Sequence, residues 1–185
     1  MKRRSLLLLA ILGLLSATSH AQDTNALNTT IGVFETRTDE ILVRAFNHIG
    51  SVTIGPDTIS VRMKESKDMG TGETVYGLSV QIDENQSPRE RALIDDDEID
   101  PLLVALDYLI KIKYDVTTLP GFEASFTTRS GLKIAANSIR REGTIQYSIQ
   151  YDDRPRIFLS SVQMSQLYAL VEQARKNLAA LKAPK

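Results

Sequence analysis

The stretch that decides the fold is TIQYSIQY, residues 144–151, in which apolar and polar side chains alternate without a break. Ile145, Tyr147, Ile149 and Tyr151 lie on one side of an extended chain, and the polar residues between them lie on the other. Such alternation is typical of an antiparallel strand with one buried face. We therefore predict a strand here, with the two isoleucines and the two tyrosines in the core.

Turn residues divide the sequence around this strand into further elements. The predicted strands lie at residues 123–129, 132–140 and 156–159, with turns at Ser130-Gly131 and Asp152-Asp153-Arg154-Pro155. Residues 160–182 place apolar side chains three and four apart, which predicts an amphipathic helix. The apolar set of this helix is Met164, Leu167, Tyr168, Val171, Ala174, Leu178 and Leu181. The second half of the chain is thus predicted to form four strands and then a helix.

The first half follows the same order with one strand more. Its predicted strands lie at residues 30–37, 41–53, 58–65, 74–82 and 91–94, and its predicted helix runs from residue 95 to about residue 113. Gly70-Thr71-Gly72 and residues 85–88 read as turns between strands. The two halves therefore share one layout of strands followed by a helix.

Two short correspondences indicate that the halves are repeats. FETRT at residues 34–38 matches FTTRS at residues 126–130, and IDDDEI at residues 94–99 matches the chemistry of LSSVQM at residues 159–164. We predict an α+β protein of two ββββα-type repeats, packed as one compact pseudo-symmetric domain. The repeats span residues 30–114 and 122–182, with a linker at 115–121 and a tail at 183–185.

The acidic run IDDDEIDPL, residues 94–102, carries five carboxylates within six residues. With Asp95 as N-cap and Glu98 at N3, it reads as a capping box, and Ser160 with Gln163 forms an uncharged capping box at the matching place. Hydrophobic staples flank both boxes, namely Ile94 with Ile99 and Leu159 with Met164. The position therefore requires a helix cap and does not require clustered charge, although the acids also favour the positive end of the helix dipole.

Pro101 does not fit this capping scheme without adjustment. If Asp95 is the N-cap, Pro101 lies at N6, where it deletes a helical hydrogen bond and distorts the first turn. Alternatively, Asp100 caps the main helix after a short separate turn, with Pro101 at N1. Either arrangement keeps the acidic residues at a helix start.

The sequence contains no strong catalytic or metal-binding motif. The acidic run lacks the glycine and the alternate ligand spacing of a calcium loop. His48 lies in a predicted strand, and the chain has no Gly-x-Ser-x-Gly motif and no cysteine. Gly70-Thr71-Gly72 lacks the Gly-Lys-Ser/Thr sequence of a phosphate loop. We therefore assign no catalytic, metal-binding or cofactor-binding residue and expect no cofactor.

The N-terminus reads as a secretory signal peptide over residues 1–21. Lys2, Arg3 and Arg4 precede an apolar run at residues 6–15, and Ser19-His20-Ala21 supplies small residues at the cleavage positions. Arg3-Arg4 also fits a twin-arginine signal, but the leucine-rich run favours the general secretory route. We predict export to the periplasm or the outside of a bacterial cell, with a flexible N-terminus at residues 22–29.

The charge balance disfavours nucleic acid as a partner. Removal of residues 1–21 takes away three of the 22 Lys and Arg residues and none of the 23 Asp and Glu residues, which changes the formal charge from −1 to −4. An acidic chain has no overall attraction for phosphate backbones. After the signal peptide, we expect no transmembrane segment, because no later apolar run is long enough.

Two resemblances add to this interpretation. ALIDDDEIDPLLVALDYLIKI at residues 92–112, ahead of FEASFTTRSGLKI at residues 122–134, resembles a group of uncharacterised exported bacterial proteins over most of residues 30–180. That resemblance implies no activity. The layout of four strands and a helix, twice, is similar to that of Whirly and PUR-repeat proteins, which implies binding of single-stranded nucleic acid through the sheet.

We therefore favour a non-enzymatic binding or protein-interaction module with a protein partner. One alternative is single-stranded nucleic-acid binding through the sheet face, which would use Arg129, Lys133, Arg140 or Arg141. The predicted burial of the patterned tyrosines disfavours it. The other alternative is a hydrolytic enzyme with a carboxylate site formed by two of the acids, or a site that includes His48.

Overall fold

The computed structural model describes residues 26–84, 87–139, 143–152 and 154–183. It contains two four-stranded antiparallel sheets, and a helix follows each sheet in the chain. The predicted α+β class with two sheet-and-helix units is confirmed. The predicted signal peptide, residues 22–25, and Arg140 and Arg141 lie outside the described residues.

The first sheet has the order β1-β2-β3-β4 and the second the order β5-β6-β7-β8. The first consists of β1 (Leu42–Ile54), β2 (Asp57–Asp68), β3 (Thr74–Glu84) and β4 (Ser87–Asp95). A short 3₁₀ turn, Asp96–Glu98, leads into helix α2 (Ile99–Lys111). The second consists of β5 (Glu123–Thr127), β6 (Leu132–Ile139), β7 (Thr144–Tyr151) and β8 (Ile157–Leu159), and α3 (Ser161–Lys182) follows it.

The alternating strand that organises the second half is β7, with the predicted bounds. Tyr147, Ile149 and Tyr151 are buried, and Ile145 packs against the core from a partly buried position. The hydroxyl of Tyr147 donates to the carbonyl oxygen of Ile110 at 3.3 Å, which joins β7 to the end of α2. The predicted core face of this strand is therefore confirmed.

The two halves interlock, because α3 packs along the first sheet and α2 contacts β5 and β6 of the second. Gln163 near the start of α3 donates to the carbonyl oxygen of Thr53 at 2.9 Å. Further along α3, Leu170 lies over Gly50, where a β-carbon would come within 2.5 Å of a Leu170 methyl group. One continuous cluster of buried side chains includes residues from both sheets and both long helices.

The strand predicted at residues 30–37 is wrong, because this segment forms helix α1 (Thr30–Glu35). The hydroxyl of Thr29 caps it by accepting from the amide of Gly32 at 3.0 Å. Ile31 and Phe34, three residues apart on this helix, are both buried. In the N-terminal segment predicted to be flexible, Ala26–Asn28 form a 3₁₀ turn and Thr29 is buried.

Three other expectations also need correction. The match of residues 34–38 with residues 126–130 is not structural, because the first segment ends a helix and the second ends β5 and enters a turn. Ser87 and Pro88, predicted within a turn, belong to β4, while residues 85–86 lie outside the described part. Leu181, predicted in the apolar stripe of α3, is 47% exposed.

Helix α1 lies against the outer face of the first sheet, which is the face opposite the core. Glu35 at the end of this helix accepts from Lys64 Nζ at 2.8 Å and from the hydroxyl of Ser66 at 2.6 Å. Burial raises the pKa of Glu35, but the hydrogen bonds from Lys64 and Ser66 outweigh burial and hold the pKa below its ordinary value. This ion pair and the two buried apolar side chains fix α1 on the sheet.

Gly77 lies where the backbones of β3 and β4 approach each other closely. A β-carbon on Gly77 would lie 2.4 Å from the backbone oxygen of Ile94, so we expect Gly77→Ala to destabilise the fold. The expected loss is roughly 1–3 kcal/mol, as for other overpacked sites. Gly121→Ala is the control, since its nearest atom is Ser138 Oγ at 3.8 Å. Urea denaturation of both variants measures the difference, and equal stabilities would contradict the close approach.

Candidate functional site

Asp95 lies at the end of β4 and binds the start of helix α1. Its Oδ2 accepts from the amide of Thr30 at 2.8 Å, and its Oδ1 accepts from the amide of Ile31 at 3.0 Å. These amides belong to the first turn of α1, where no intrahelical partner exists. The Asp95 side chain therefore stabilises a helix that precedes it by more than sixty residues, in addition to its place in the acidic run.

Glu98 completes the predicted capping box. Its Oε2 accepts from the amide of Asp95 at 3.3 Å, and its Oε1 accepts from the amide of Arg129 at 2.8 Å. The second predicted box is also present, with the Ser160 amide donating to Gln163 Oε1 at 2.8 Å. Both capping boxes are confirmed, and the acidic one also reaches the turn between β5 and β6.

Pro101 is accommodated because the first turn is distorted. Residues Asp96–Glu98 form a 3₁₀ turn, and the regular helix α2 starts at Ile99. Pro101 is therefore the third residue of α2, where a backbone amide would have no helical partner. Neither of the two arrangements that the sequence allowed holds in full, because Asp95 caps a short separate turn and Glu98, rather than Asp95 or Asp100, is the N-cap of α2.

Three cations of the second half pair with the acids of the run. Arg129 binds both carboxylate oxygens of Asp97, at 2.9 and 2.6 Å, and also donates to Asp95 at 3.0 Å. The other pairs are Lys182 with Asp96, at 2.5 Å, and Arg175 with Asp100, at 2.9 Å. The sequence indicated that the acidic run is needed only as a helix cap. That interpretation was incomplete, because the charges of the run also join the two halves.

Residues 92–112 and residues 122–134 meet at this point. Hydrogen bonds from Arg129 hold the pKa of Asp97 below its ordinary value, and the pKa of Arg129 is raised in return. An ionised carboxylate bound to a guanidinium is a structural ion pair and not a proton donor. Within the described residues, no group of three or more His, Cys, Asp or Glu side chains is placed to hold a metal ion.

His48 lies exposed on β1, with its Nε2 atom 3.4 Å from the hydroxyl of Ser51. That distance is at the upper limit for a hydrogen bond. The pair occupies a strand face rather than the concave site that catalysis requires. We assign it no catalytic role.

The glycine-rich turn joins β2 to β3, as the hairpin interpretation predicts. Asp68 organises the turn by accepting from the amide of Gly70 at 2.7 Å and from the hydroxyl of Thr71 at 2.8 Å. These bonds hold the pKa of Asp68 below its ordinary value. The carboxylate of Asp68 thus accepts the hydrogen bonds that fix the shape of this turn.

The two described basic residues of the nucleic-acid hypothesis are both paired with carboxylates. Arg129 binds the acidic run, and Lys133 Nζ lies 2.5 Å from Glu123, which also binds Arg156 at 3.1 Å. The bond from Lys133 holds the pKa of Glu123 below its ordinary value. Because these charges are compensated, they do not form an open phosphate-binding surface.

The open edge of β1 is the surface that the sequence did not reveal. β1 is the terminal strand of its sheet, and residues 43–48 are exposed. Phe46 is 70% exposed and Val43 is 47% exposed, and Ile41 just before the strand is exposed as well. The apolar pattern identified a strand, but it did not place that strand at the edge of the sheet.

A shallow groove of about 240 Å³ adjoins this edge where α3 ends. Ala45 and Asn47 of β1, Met63 and Glu65 of β2, and Leu181 of α3 line it. The exposure of Leu181 is explained by this position, because the helix ends beside the groove and no described element covers it. Apolar surface from both the strand and the helix is therefore available to a partner.

The surroundings of the edge carry positive charge and an aromatic ring. Arg44 donates to the backbone oxygen of Glu35 at 2.8 Å, and its side chain lies 4.0 Å from the Glu35 carboxylate. The guanidinium of Arg62 lies 5.8 Å from the centre of the Phe46 ring, within cation–π range. The exposed ring thus already accepts a cation on one face.

Comparison with family models, with curated proteins and with solved structures finds no match for this chain. Across the described ranges, no helix has the length and apolarity needed to cross a membrane.

Substitutions at the adjacent residues Asp95 and Asp96 compare the buried and the exposed contribution of the acidic run to stability. We expect Asp95→Ala to destabilise the fold by about 3 kcal/mol, because it leaves two helix amides and Arg129 without a buried acceptor. Asp96→Ala, which removes only the exposed pair with Lys182, should cost less than about 1 kcal/mol. Urea denaturation at pH 7 measures both. A smaller loss for Asp95→Ala than for Asp96→Ala would show that α1 does not depend on this carboxylate.

The Asp97–Arg129 pair should make stability depend on pH. The pKa of Asp97 is lowered in the folded state, so its contribution is complete above its ordinary pKa and disappears as the pH falls through the lowered value. At pH 7, Asp97→Asn should cost less than about 1 kcal/mol, since the carboxylate is 67% exposed. The difference from wild type should therefore shrink as the pH falls below the ordinary pKa of an aspartate. Denaturation curves from pH 7 down to pH 2.5 measure it, and a difference that grows on acidification would be inconsistent with the pair.

Proposed function

We propose that the protein is an exported, non-enzymatic interaction module that binds another polypeptide by strand addition at the open edge of β1. The observation that carries this proposal is the exposed segment of residues 43–48 at the edge of the first sheet. Backbone hydrogen bonds to an added strand supply affinity, and side chains at alternate positions supply specificity.

The hydrogen-bond pattern identifies the backbone groups that an added strand would meet. Met69 donates its amide hydrogen to the carbonyl oxygen of Ile41, so Ile41 directs its backbone groups toward β2. Asp68, opposite Leu42, instead directs its amide toward Glu73. Because successive residues of a strand alternate, the outward backbone groups belong to Leu42, Arg44, Phe46 and His48.

The side chains of this edge also support a binding role. Proteins commonly protect exposed edges with proline, with inward-pointing charges or by keeping the strand short. Residues 42–48 contain no proline and one charged residue, Arg44, and they present Val43 and Phe46 beside the outward backbone groups. An edge of this composition favours association with a further strand over isolation in water.

Two further features of the chain support export and a non-enzymatic role. Residues 1–21 carry the charge, apolar length and small residues of a secretory signal. The acidic run, which was the leading candidate for a carboxylate site, is occupied by Arg129, Arg175 and Lys182. Export and binding account for these features without assigning a reaction to them.

Photo-crosslinking in the producing cells tests the proposal. A photoreactive phenylalanine analogue at position 46 should form covalent protein adducts on irradiation, because Phe46 lies at the binding edge. The control carries the same analogue at Tyr108, a 56% exposed aromatic residue on α2, which packs against α3 and the second sheet. We expect adducts at position 46 to exceed those at position 108 severalfold. Equal or absent labelling at position 46 would rule out strand addition at β1.

A further inference from the structure

We infer that the strand added to β1 is β1 of a second copy of this chain, paired antiparallel about a two-fold axis through Ala45. This inference rests on the proposed function and names the partner of the same edge. It joins two four-stranded sheets into one sheet of eight strands, which is within the usual size of open sheets. The interface is isologous, so each copy offers the same residues to the other.

The outward backbone groups restrict the register of such a pair. Outward residues must lie opposite outward residues, and only two-fold axes at Arg44, Ala45 or Phe46 pair at least three of the four. An axis at Arg44 would set two arginines directly opposite each other. An axis at Phe46 would set Leu42 opposite Gly50, beyond the bulge between His48 and Gly50. Only the axis at Ala45 pairs all outward residues of this segment without like charges or a bulge.

The register at Ala45 makes the edge complementary to itself. Arg44 lies opposite Phe46 of the second copy, and the symmetry repeats this contact. A guanidinium over an aromatic ring is favourable, and the other face of the Phe46 ring already lies near Arg62. The Glu35 carboxylate near Arg44 reduces repulsion between the two Arg44 side chains, which are diagonal neighbours.

The same register also gives the remaining residues of this segment compatible partners. Leu42 lies opposite His48 of the second copy, and Val43 lies opposite Asn47 on the face that carries the groove. The small side chain of Ala45 stands at the axis, where a pair without mutual hydrogen bonds brings the α-carbons to about 4.5 Å. The four outward residues of each copy then exchange about eight hydrogen bonds with the other.

The size of the contact predicts its strength. Seven residues of strand extend over roughly 23 Å, and an interface built on one strand from each copy is small. We therefore expect a reversible dimer that dissociates at concentrations on the order of 10–100 µM. Arg44→Ala, which removes both symmetric contacts with Phe46, should raise the dissociation constant roughly tenfold.

A cysteine at the axis tests the pairing directly, because the chain contains no cysteine of its own. Ala45→Cys places two thiols across the axis at a separation that suits a disulfide. We expect this variant of the purified protein to form a covalent dimer under mild oxidation. Val43→Cys is the matched control, since it lies on the same face of the same strand two residues from the axis. Non-reducing electrophoresis should show a dimer for Ala45→Cys and little or none for Val43→Cys.

Sedimentation of the protein without added cysteine provides the second measurement. Wild type should become dimeric as its concentration rises through the range stated above, and Phe46→Pro, which removes an outward amide but no bond to β2, should stay monomeric. If Phe46→Pro fails to fold, the tenfold effect of Arg44→Ala gives the same test. A wild type that is monomeric at about 500 µM overturns the inference, as does crosslinking of Val43→Cys as fast as of Ala45→Cys.

These outcomes separate the inference from the proposed function. Photo-adducts at position 46 with the mass of two copies support both. Adducts with other proteins, together with a monomeric wild type, overturn self-pairing and leave strand addition at β1 in place. If position 46 gives no adduct and Ala45→Cys gives no dimer, both proposals fall.

Discussion

The fold depends on the buried carboxylate of Asp95, which is the junction of three segments distant in sequence. A charge taken out of water is costly unless hydrogen bonds replace its hydration. At Asp95 the replacement comes from the amides of Thr30 and Ile31 and from the guanidinium of Arg129. Because each partner belongs to a different segment from Asp95 itself, satisfying one carboxylate places α1 on the first sheet and brings the β5–β6 turn to the start of α2.

The other acids of the run extend this junction by forming ion pairs with cations of the second half. The acids occupy one short run, whereas Arg129, Arg175 and Lys182 are spread over the second half. Exposed pairs of this kind contribute little stability one by one. Their joint effect is geometric, since together they fix the position of α3 beside α2 while the shared core supplies most of the free energy of folding.

Local patterns in the sequence predicted local structure, and contacts between distant residues account for what they missed. The alternation in β7 and the two capping boxes depend on neighbours within a few residues, so their bounds and partners could be read directly. Helix α1 is too short to be stable alone. Besides its local cap at Thr29, it needs Asp95 to accept from its first amides and the sheet to bury Ile31 and Phe34, neither of which a local pattern contains. The role of Arg129 could have been suspected from the co-occurrence of an acidic run and an arginine turn.

The open edge of β1 follows from the way the two halves interlock. Helix α3 runs along β1, with Gln163 near Thr53, Leu170 over Gly50 and Leu181 beside Ala45. The helix packs on one face of the sheet and ends at Lys182, whose ion pair with Asp96 holds this end near α2, so it leaves the backbone edge of β1 uncovered. The edge strands of the second sheet are short by comparison, β5 with five residues and β8 with three. Short edges are protected against pairing. The same contacts that close the core thus leave the edge of β1, the longest of the four terminal strands, able to accept another strand.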